Sequence, residues 1–243
     1  DETVLFQGIS DLFSKGWKNI KLYFMMGLPT EKDEDLRGIL DLSRKIAFWG
    51  AKQKIHPHIN VSVSTFVPKP HTPFQWESQI PLEEMKEKIH FLRDGVKRSN
   101  LRFKWQDPHL SFLEGIFSVG DRKLSRVLVE AYRLGCRFDG WSDQFHFPLW
   151  KESFEKTGLE MDSHTKKREF KDILPWSFIE TGLNAQYLWE EYQGGLKEKI
   201  TPPCVKENCH RCGICKGETI LIRESDPAEM KALERMEKKD VRN

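Results

Sequence analysis

INVSVSTFV, Ile59 to Val67, alternates apolar and polar side chains through Ser64. Successive side chains of an extended strand point to opposite faces, so Ile59, Val61 and Val63 share one face and Asn60, Ser62 and Ser64 the other. The neighbouring segments say which kind of sheet this strand joins. IKLYFMM (20–26) and LRFKWQ (101–106) read as two further strands. Between them lie helical patterns over 33–49, through Leu36, Ile39, Leu40 and Ile46, and over 81–98, through Leu82, Met85, Ile89, Leu92 and Val96. A further amphipathic helix over 2–16 precedes the first strand, with Val4, Leu5, Ile9, Leu12 and Phe13 on one side and Gly16 as its stop. Strand–helix–strand with this spacing predicts right-handed crossovers and a parallel sheet, an α/β fold. A parallel strand covered by helices on both faces is apolar on both. The polar face of 59–64 therefore belongs either to the lumen of a barrel or to the wet side of an open sheet. We read Asn60, Ser62 and Ser64 as lumen-facing. Lys21, Tyr23, Arg102 and Lys104 continue the polar face, with Arg102 and Lys104 read as a wet edge.

Composition excludes several function classes. The 243 residues carry 39 basic and 37 acidic side chains, a net charge of +2, so no overall field attracts nucleic acid or membrane. No apolar run approaches the roughly 20 residues of a membrane span, and no signal peptide opens the chain. The five cysteines are few and clustered, unlike a secreted disulfide framework, which points to a reducing cytoplasm. The chain starts at Asp1 in the middle of a helical pattern, which we read as the mark of a fragment.

Two loops follow strand carboxyl ends, where such sheets bind ligands: GLPTEKDED (27–35) and VPKPHTPFQW (67–76). Gly27 directly after a strand permits close backbone approach, and Pro29 stiffens the turn. Glu31 is a candidate acceptor for a ligand amine or hydroxyl, or an acidic residue before a helix N-terminus. His71 reads as a loop residue. LYFMMGLPTEKDEDL, followed some thirty residues later by VSVSTFVPKPHTPFQW, resembles the C-terminal half of a radical S-adenosylmethionine (radical SAM) enzyme; similar loops occur in the tRNA methylthiotransferases. KWQDPHLSFLEGIFSVGDRKL and CRFDGWSDQFHFPLW resemble a narrower group, uncharacterised radical SAM proteins with an N-terminal cobalamin-binding domain.

The resemblance implies a partial (β/α) barrel whose strand ends hold S-adenosylmethionine beside a [4Fe–4S] cluster. Carried over by position, Met26, Gly27, Leu28, Pro29 and Glu31 would lie along its methionine and ribose, and Phe66, Val67 and Pro68 would border the adenine. The family's CxxxCxxC cluster motif is absent from this sequence. On this reading the chain is the back of the enzyme, lacking the cobalamin domain and the catalytic cluster, and performs no radical chemistry alone. In the complete enzyme the resemblance implies reductive cleavage of S-adenosylmethionine and methyl transfer through cobalamin.

From Asp107 the pattern becomes mainly helical, with helices over 120–135, 147–158 and 184–196, and Trp141, Trp150, Trp176 and Trp189 read as packing between them. Asp107, His109 and Glu114, and Asp139, Asp143 and His146, are acid–histidine groups read as capping and turn residues, with acid–base work as the alternative. Cys136 reads as a buried structural thiol. The basic stretch 163–171 reads as a solvated loop. The organisation expected is 1–106 barrel part, 107–199 helical extension, 200–220 metal-binding segment and 221–243 charged helical tail.

CVKENCHRCGIC places Cys204, Cys209, Cys212 and Cys215 at C-x4-C-x2-C-x2-C spacing. Thiolates this dense are metal ligands in a reducing compartment. The successive x2 steps match the core of ferredoxin-type sites, and Gly213 lets backbone N–H groups approach cluster sulfides, so [4Fe–4S] is the first reading and zinc the alternative. His210 is a possible substitute ligand. With all four thiolates engaged, the cluster serves as electron relay or folding staple. The substrate is open among small metabolite, lipid, protein and RNA, with RNA first on the methylthiotransferase likeness. The competing class is a non-enzymatic four-cysteine metal-binding module that binds RNA or a partner protein.

Overall fold

A computed structural model describes residues 2–97, 101–202 and 210–215. In chain order it forms α1 (Glu2–Ser14), β1 (Asn19–Met26), α2 (Asp33–Lys52), β2 (His58–Thr65), a 3-10 turn (Pro73–Trp76), α3 (Leu82–Val96), β3 (Leu101–Trp105), α4 (Pro108–Val119), α5 (Leu124–Leu134), α6 (Phe147–Thr157) and α7 (Ala185–Gly195). The chain divides into two compact units, Asp1–Ile179 and Glu180–Asn243. The helical extension expected from residue 107 thus shares its first part with the sheet.

In the first unit the strands form one three-stranded sheet in the order β1-β2-β3. Both pairs are parallel, as the crossover spacing predicts. The register sets Lys21 beside Asn60 and Asn60 beside Arg102, then Tyr23 beside Ser62 and Ser62 beside Lys104. The opposite face carries Ile20, Leu22, Ile59, Val61, Val63 and Leu101, all buried against α1, α2 and α3 through Ile9, Phe13, Leu36, Ile39, Leu40, Ile46, Ile89 and Leu92. The two helices α2 and α3 approach closely at Gly95, where any Cβ would run into the Leu40 side chain. Burying a side chain of this size contributes roughly 1.5–3 kcal/mol, so this one face holds the sheet in place.

A second core joins α3 to α4, α5 and α6 through Met85, Phe112, Leu113, Ile116, Leu124, Val127, Trp150 and Phe154. The helix α4 was not among the sequence expectations. Its start is written locally: Asp107 accepts hydrogen bonds from the His109 and Leu110 backbone N–H groups at 2.8 and 3.3 Å, and Pro108 takes the first helical position. Its interior Gly115 obscured the pattern, and that glycine has a tertiary cause, because the Gln79 side-chain oxygen occupies the space a Cβ would need. Elsewhere the boundaries move by a few residues. The strand expected over 59–67 ends at Thr65, α2 continues to Lys52, and the helix expected from 120 starts at Leu124 after a turn in which Asp121 accepts from the Lys123 N–H at 2.8 Å. Trp150 and Trp176 are buried as expected, whereas Trp141 is 68% exposed and packs between no helices. The tail expected to be helical, 221–243, lies outside the described residues.

Candidate functional site

All three strands run in one direction, so their carboxyl ends gather the loops 27–32, 66–80 and 106–109 at one edge of the sheet, where open α/β sheets bind ligands. The first loop is held from inside. Gly27 takes φ +76, and a Cβ there would come within 2.7 Å of the Ile80 side chain, so the close approach that glycine permits is used by the protein itself. The Gly27 N–H donates to Glu31 Oε2 at 2.8 Å. Lys88 Nζ, from α3, lies 2.9 Å from Glu31 Oε1 and 3.4 Å from Glu84. The Glu31 and Lys88 side chains are 6% and 15% exposed, so this pair is a clamp inside the loop. Burial pushes the Lys88 ammonium down, but the hydrogen bonds and charges of Glu31 and Glu84 outweigh it and hold the group above the ordinary lysine range. Thr30, at φ 67, sits in the left-handed region that a β-branched residue rarely adopts.

The second loop continues the sheet before it turns. The Phe66 N–H donates to the Met26 carbonyl at 2.8 Å, and the Phe66 ring meets Phe74 edge-on at 5.9 Å. Two buried glutamines fix its course. Gln75 Oε1 accepts from Trp176 Nε1 at 2.7 Å and from the His71 N–H at 3.0 Å. Gln79 Nε2 donates to the Phe66 and Ser111 carbonyls at 3.3 and 2.9 Å. Beside this loop Lys69 Nζ lies 2.6 Å from Glu114 Oε1, and Gln106 Nε2 donates to Glu114 Oε2 at 3.0 Å. Desolvation pushes the Glu114 carboxyl up, yet the hydrogen bonds from Lys69 and Gln106 and the Lys69 charge prevail and hold it below the ordinary range. Thr65 Oγ1, Gln79 Oε1, Ser111 Oγ and His71 Nε2 are buried around these loops without a hydrogen-bond partner among the described residues.

Of the residues expected along S-adenosylmethionine, Met26 is 1% and Phe66 6% exposed, and Gly27 and Pro68 are buried, so Met26 and Phe66 reach the edge through their main chain only. Leu28 is exposed, and Pro29, Glu31 and Val67 are half-buried. The polar face of the sheet below them is open: Asn60, Ser62 and Ser64 are half-buried, while Lys21, Arg102 and Lys104 are exposed and Tyr23 is 72% exposed. Sequence reasoning missed Lys88, Gln75 and Gln79. A lysine four residues after Glu84 reads as ordinary helix surface, and a glutamine in a proline-rich loop gives no sign of burial.

Glu114 pairs with Lys69 across the loops, and others of the acid–histidine residues take local roles. Asp107 caps α4 and lies 3.2 Å from His109 Nδ1, and the His109 ring packs 4.4 Å from Phe147. Asp139 accepts from Trp150 Nε1 at 3.3 Å, and Asp143 from Gln144. Cys136 is buried, and desolvation followed by the Asp139 charge pushes its thiol up, which keeps it protonated.

In the second unit Cys204 and Cys209 lie outside the described residues. Cys212 and Cys215 are half-buried, and no group of three or more metal-ligating side chains occurs among the described residues. The segment around them is docked by its main chain. The Asn184 N–H, at the start of α7, donates to the Cys212 carbonyl at 2.7 Å. Gly213 takes φ +98, and a Cβ there would strike the Gly182 carbonyl. His210 Nε2 lies 2.9 Å from the Pro202 carbonyl.

The fold and this edge define an α/β protein with a small parallel sheet and a loop cluster at its carboxyl ends. Over 119 residues the chain is 34% identical to the "Uncharacterized protein MJ0966" of Methanocaldococcus jannaschii, which covers 49% of this chain and 25% of that protein. The chain therefore spans about a quarter of the length of this relative. No family model matches the chain, and no solved structure matches it. Among the described residues no helix is long and apolar enough to cross a membrane.

Proposed function

We propose that the chain is the carboxyl-terminal part of a radical SAM enzyme, with the loops at the carboxyl edge of the sheet forming part of its S-adenosylmethionine site. The observation that carries the reading is the sheet itself. It is wholly parallel, yet one face is polar and open, with Asn60, Ser62 and Ser64 in a central strand. A parallel sheet buries both faces unless one lines a chamber, so an open polar face is what a portion of a barrel presents. The loop clamp supports it as well: Glu31 and Lys88 hold the Gly27 turn rigid at the edge, and a non-glycine residue in the left-handed region, here Thr30, is the kind of strain that gathers at ligand sites.

In this reading S-adenosylmethionine and a reduced [4Fe–4S] cluster supply the radical chemistry, and cobalamin the methyl transfer, in a longer protein. This chain's residues bind and orient. Leu28, Pro29 and Val67 offer accessible apolar contact, while the main chain of Met26, Gly27 and Phe66, held by its internal hydrogen bonds, shapes the edge. Glu31 acts by fixing the turn rather than by touching the ligand. Cys204, Cys209, Cys212 and Cys215 fit an auxiliary metal centre by donor type, since dense thiolates suit iron–sulfur or zinc.

The test begins with the reading frame upstream of Asp1. An open frame carrying CxxxCxxC after a strand leads to expression of the extended protein, which is expected to form 5′-deoxyadenosine from S-adenosylmethionine under anaerobic reduction. A start codon immediately upstream, together with no S-adenosylmethionine binding by equilibrium dialysis, overturns the reading in favour of a four-cysteine metal-binding module.

A further inference from the structure

The open face of the sheet carries charge of one sign only. The strand pairing sets Lys21, Asn60 and Arg102 in one row across β1, β2 and β3, and Tyr23, Ser62 and Lys104 in the next row toward the carboxyl edge. Lys21, Arg102 and Lys104 are exposed, and none of the three enters an ion pair among the described residues. No strand position on this face holds a carboxylate. At the carboxyl rim Glu114 is already engaged by Lys69 at 2.6 Å and by Gln106 at 3.0 Å. Like charges gathered on one sheet face repel one another, and an anion held between them removes that cost.

The side chains between the cations are donors. Asn60 and Ser62, on the central strand, are half-buried and make no side-chain hydrogen bond among the described residues. Ser64, one row further on, is used by the sheet itself and donates to the Phe24 carbonyl at 3.4 Å. The Lys21 ammonium stands 4.6 Å from the centre of the Tyr23 ring, so it is swung toward the Ser62 row. A floor of one amide and one hydroxyl thus lies between an ammonium on β1 and a guanidinium and an ammonium on β3.

The spacing selects the anion. Neighbouring strands lie about 4.8 Å apart, so the backbones that bear Lys21 and Arg102 are roughly 10 Å apart. An anion over Ser62 therefore meets cations from opposite sides and donors from below. A carboxylate holds its two oxygens in one plane and serves one side. A phosphate monoester carries three acceptor oxygens and about two negative charges, and it serves both sides at once. The planar fork of an arginine such as Arg102 matches two of those oxygens with paired N–H groups. The three cations gather around one row instead of running along a track, which suits a single phosphate group and not a polymer backbone.

We propose that this face binds the phosphate group of a small-molecule phosphate ester, held over Ser62 by Lys21, Arg102 and Lys104. The inference deepens the radical SAM reading by naming the substrate class of the chamber that the face would line, and to that extent it rests on that reading.

The test is a titration of the isotopically labelled 243-residue chain with glycerol 3-phosphate at constant ionic strength, followed through its amide resonances by NMR. Saturable shifts are expected at 60–62 and 102–104, and glycerol is expected to cause none. Arg102→Gln and Ser62→Ala change side chains that stand off the core. Both are expected to keep the melting temperature and to weaken binding by roughly tenfold. Arg126→Gln, on α5, is expected to leave binding unchanged. The proposal is overturned if no resonance of the face shifts, or if Arg126→Gln weakens binding as much as Arg102→Gln. A single-stranded oligonucleotide that shifts the same resonances at lower concentration than the ester makes the face a polymer site and also overturns it. A parallel titration with S-adenosylmethionine, expected to shift 26–31 and 66–68, tells the two readings apart. Shifts there with none at the face overturn the phosphate site alone. Shifts at the face with none there uphold the phosphate site and count against the S-adenosylmethionine site.

Discussion

At the scale of single residues, the first unit depends on polar side chains placed where an apolar core would otherwise be. Gln79 ties the second loop to α4 through the Phe66 and Ser111 carbonyls, and Gly115 exists to admit its amide. Gly115→Ala improves helix propensity on paper, yet it is expected to destabilise the protein by about 1–3 kcal/mol, as overpacking does; urea denaturation of the two proteins measures the difference. His164 is the complementary case. Burial, aided by the Arg168 and Lys123 charges and opposed by Asp121, depresses its pKa. The unfolded chain therefore takes up a proton near pH 6.5 that the folded protein resists. Stability contributed this way is present above that pH and lost as pH falls through the depressed folded pKa. The urea midpoint is expected to fall between pH 7.5 and 5.5, and His164→Leu to flatten that fall.

At the scale of elements, the helix starts and stops were written in local chemistry. Asp107 with Pro108 starts α4, and Gly135, at φ 102, ends α5. The strand periodicity at 59–64 was equally legible, and it gave the correct face of β2 to the core. What joins the elements was not legible. Lys88 belongs to α3 and Glu31 to the loop after β1, and nothing in their spacing announces the pair. Glu31→Ala removes the acceptor of the Gly27 N–H and leaves Lys88 with Glu84 alone, which is expected to cost about 1–3 kcal/mol. Hydrogen exchange at residues 27–32 is expected to quicken in this variant, and slow exchange there would show that the clamp does not hold the loop.

At the scale of the whole molecule, the chain comprises a sheet-and-helix unit and a second unit that carries the cysteine segment. The metal reading makes a prediction for the second unit alone. Anaerobically prepared protein is expected to carry about four irons with equal inorganic sulfide per chain; a single zinc selects the structural alternative. Cys212→Ser and Cys215→Ser are expected to lose most of the metal by elemental analysis. Gly213→Ala, which drives a Cβ against the Gly182 carbonyl at a left-handed position, is expected to lower metal retention without removing a ligand. Full metal content in all three variants would sink the four-cysteine site.

The sequence by itself determined the α/β class, the three parallel strands, most helices and the apolar face of the sheet, because alternation, helical periodicity and caps act over a few residues. The tertiary structure alone decided which polar groups are buried together, that Gly27 packs against Ile80, that Gly115 makes room for Gln79, and that Trp141 and Phe138 stand in solvent. These depend on contacts between residues tens of positions apart. Such contacts are fixed by how the layers pack, and no local pattern carries them.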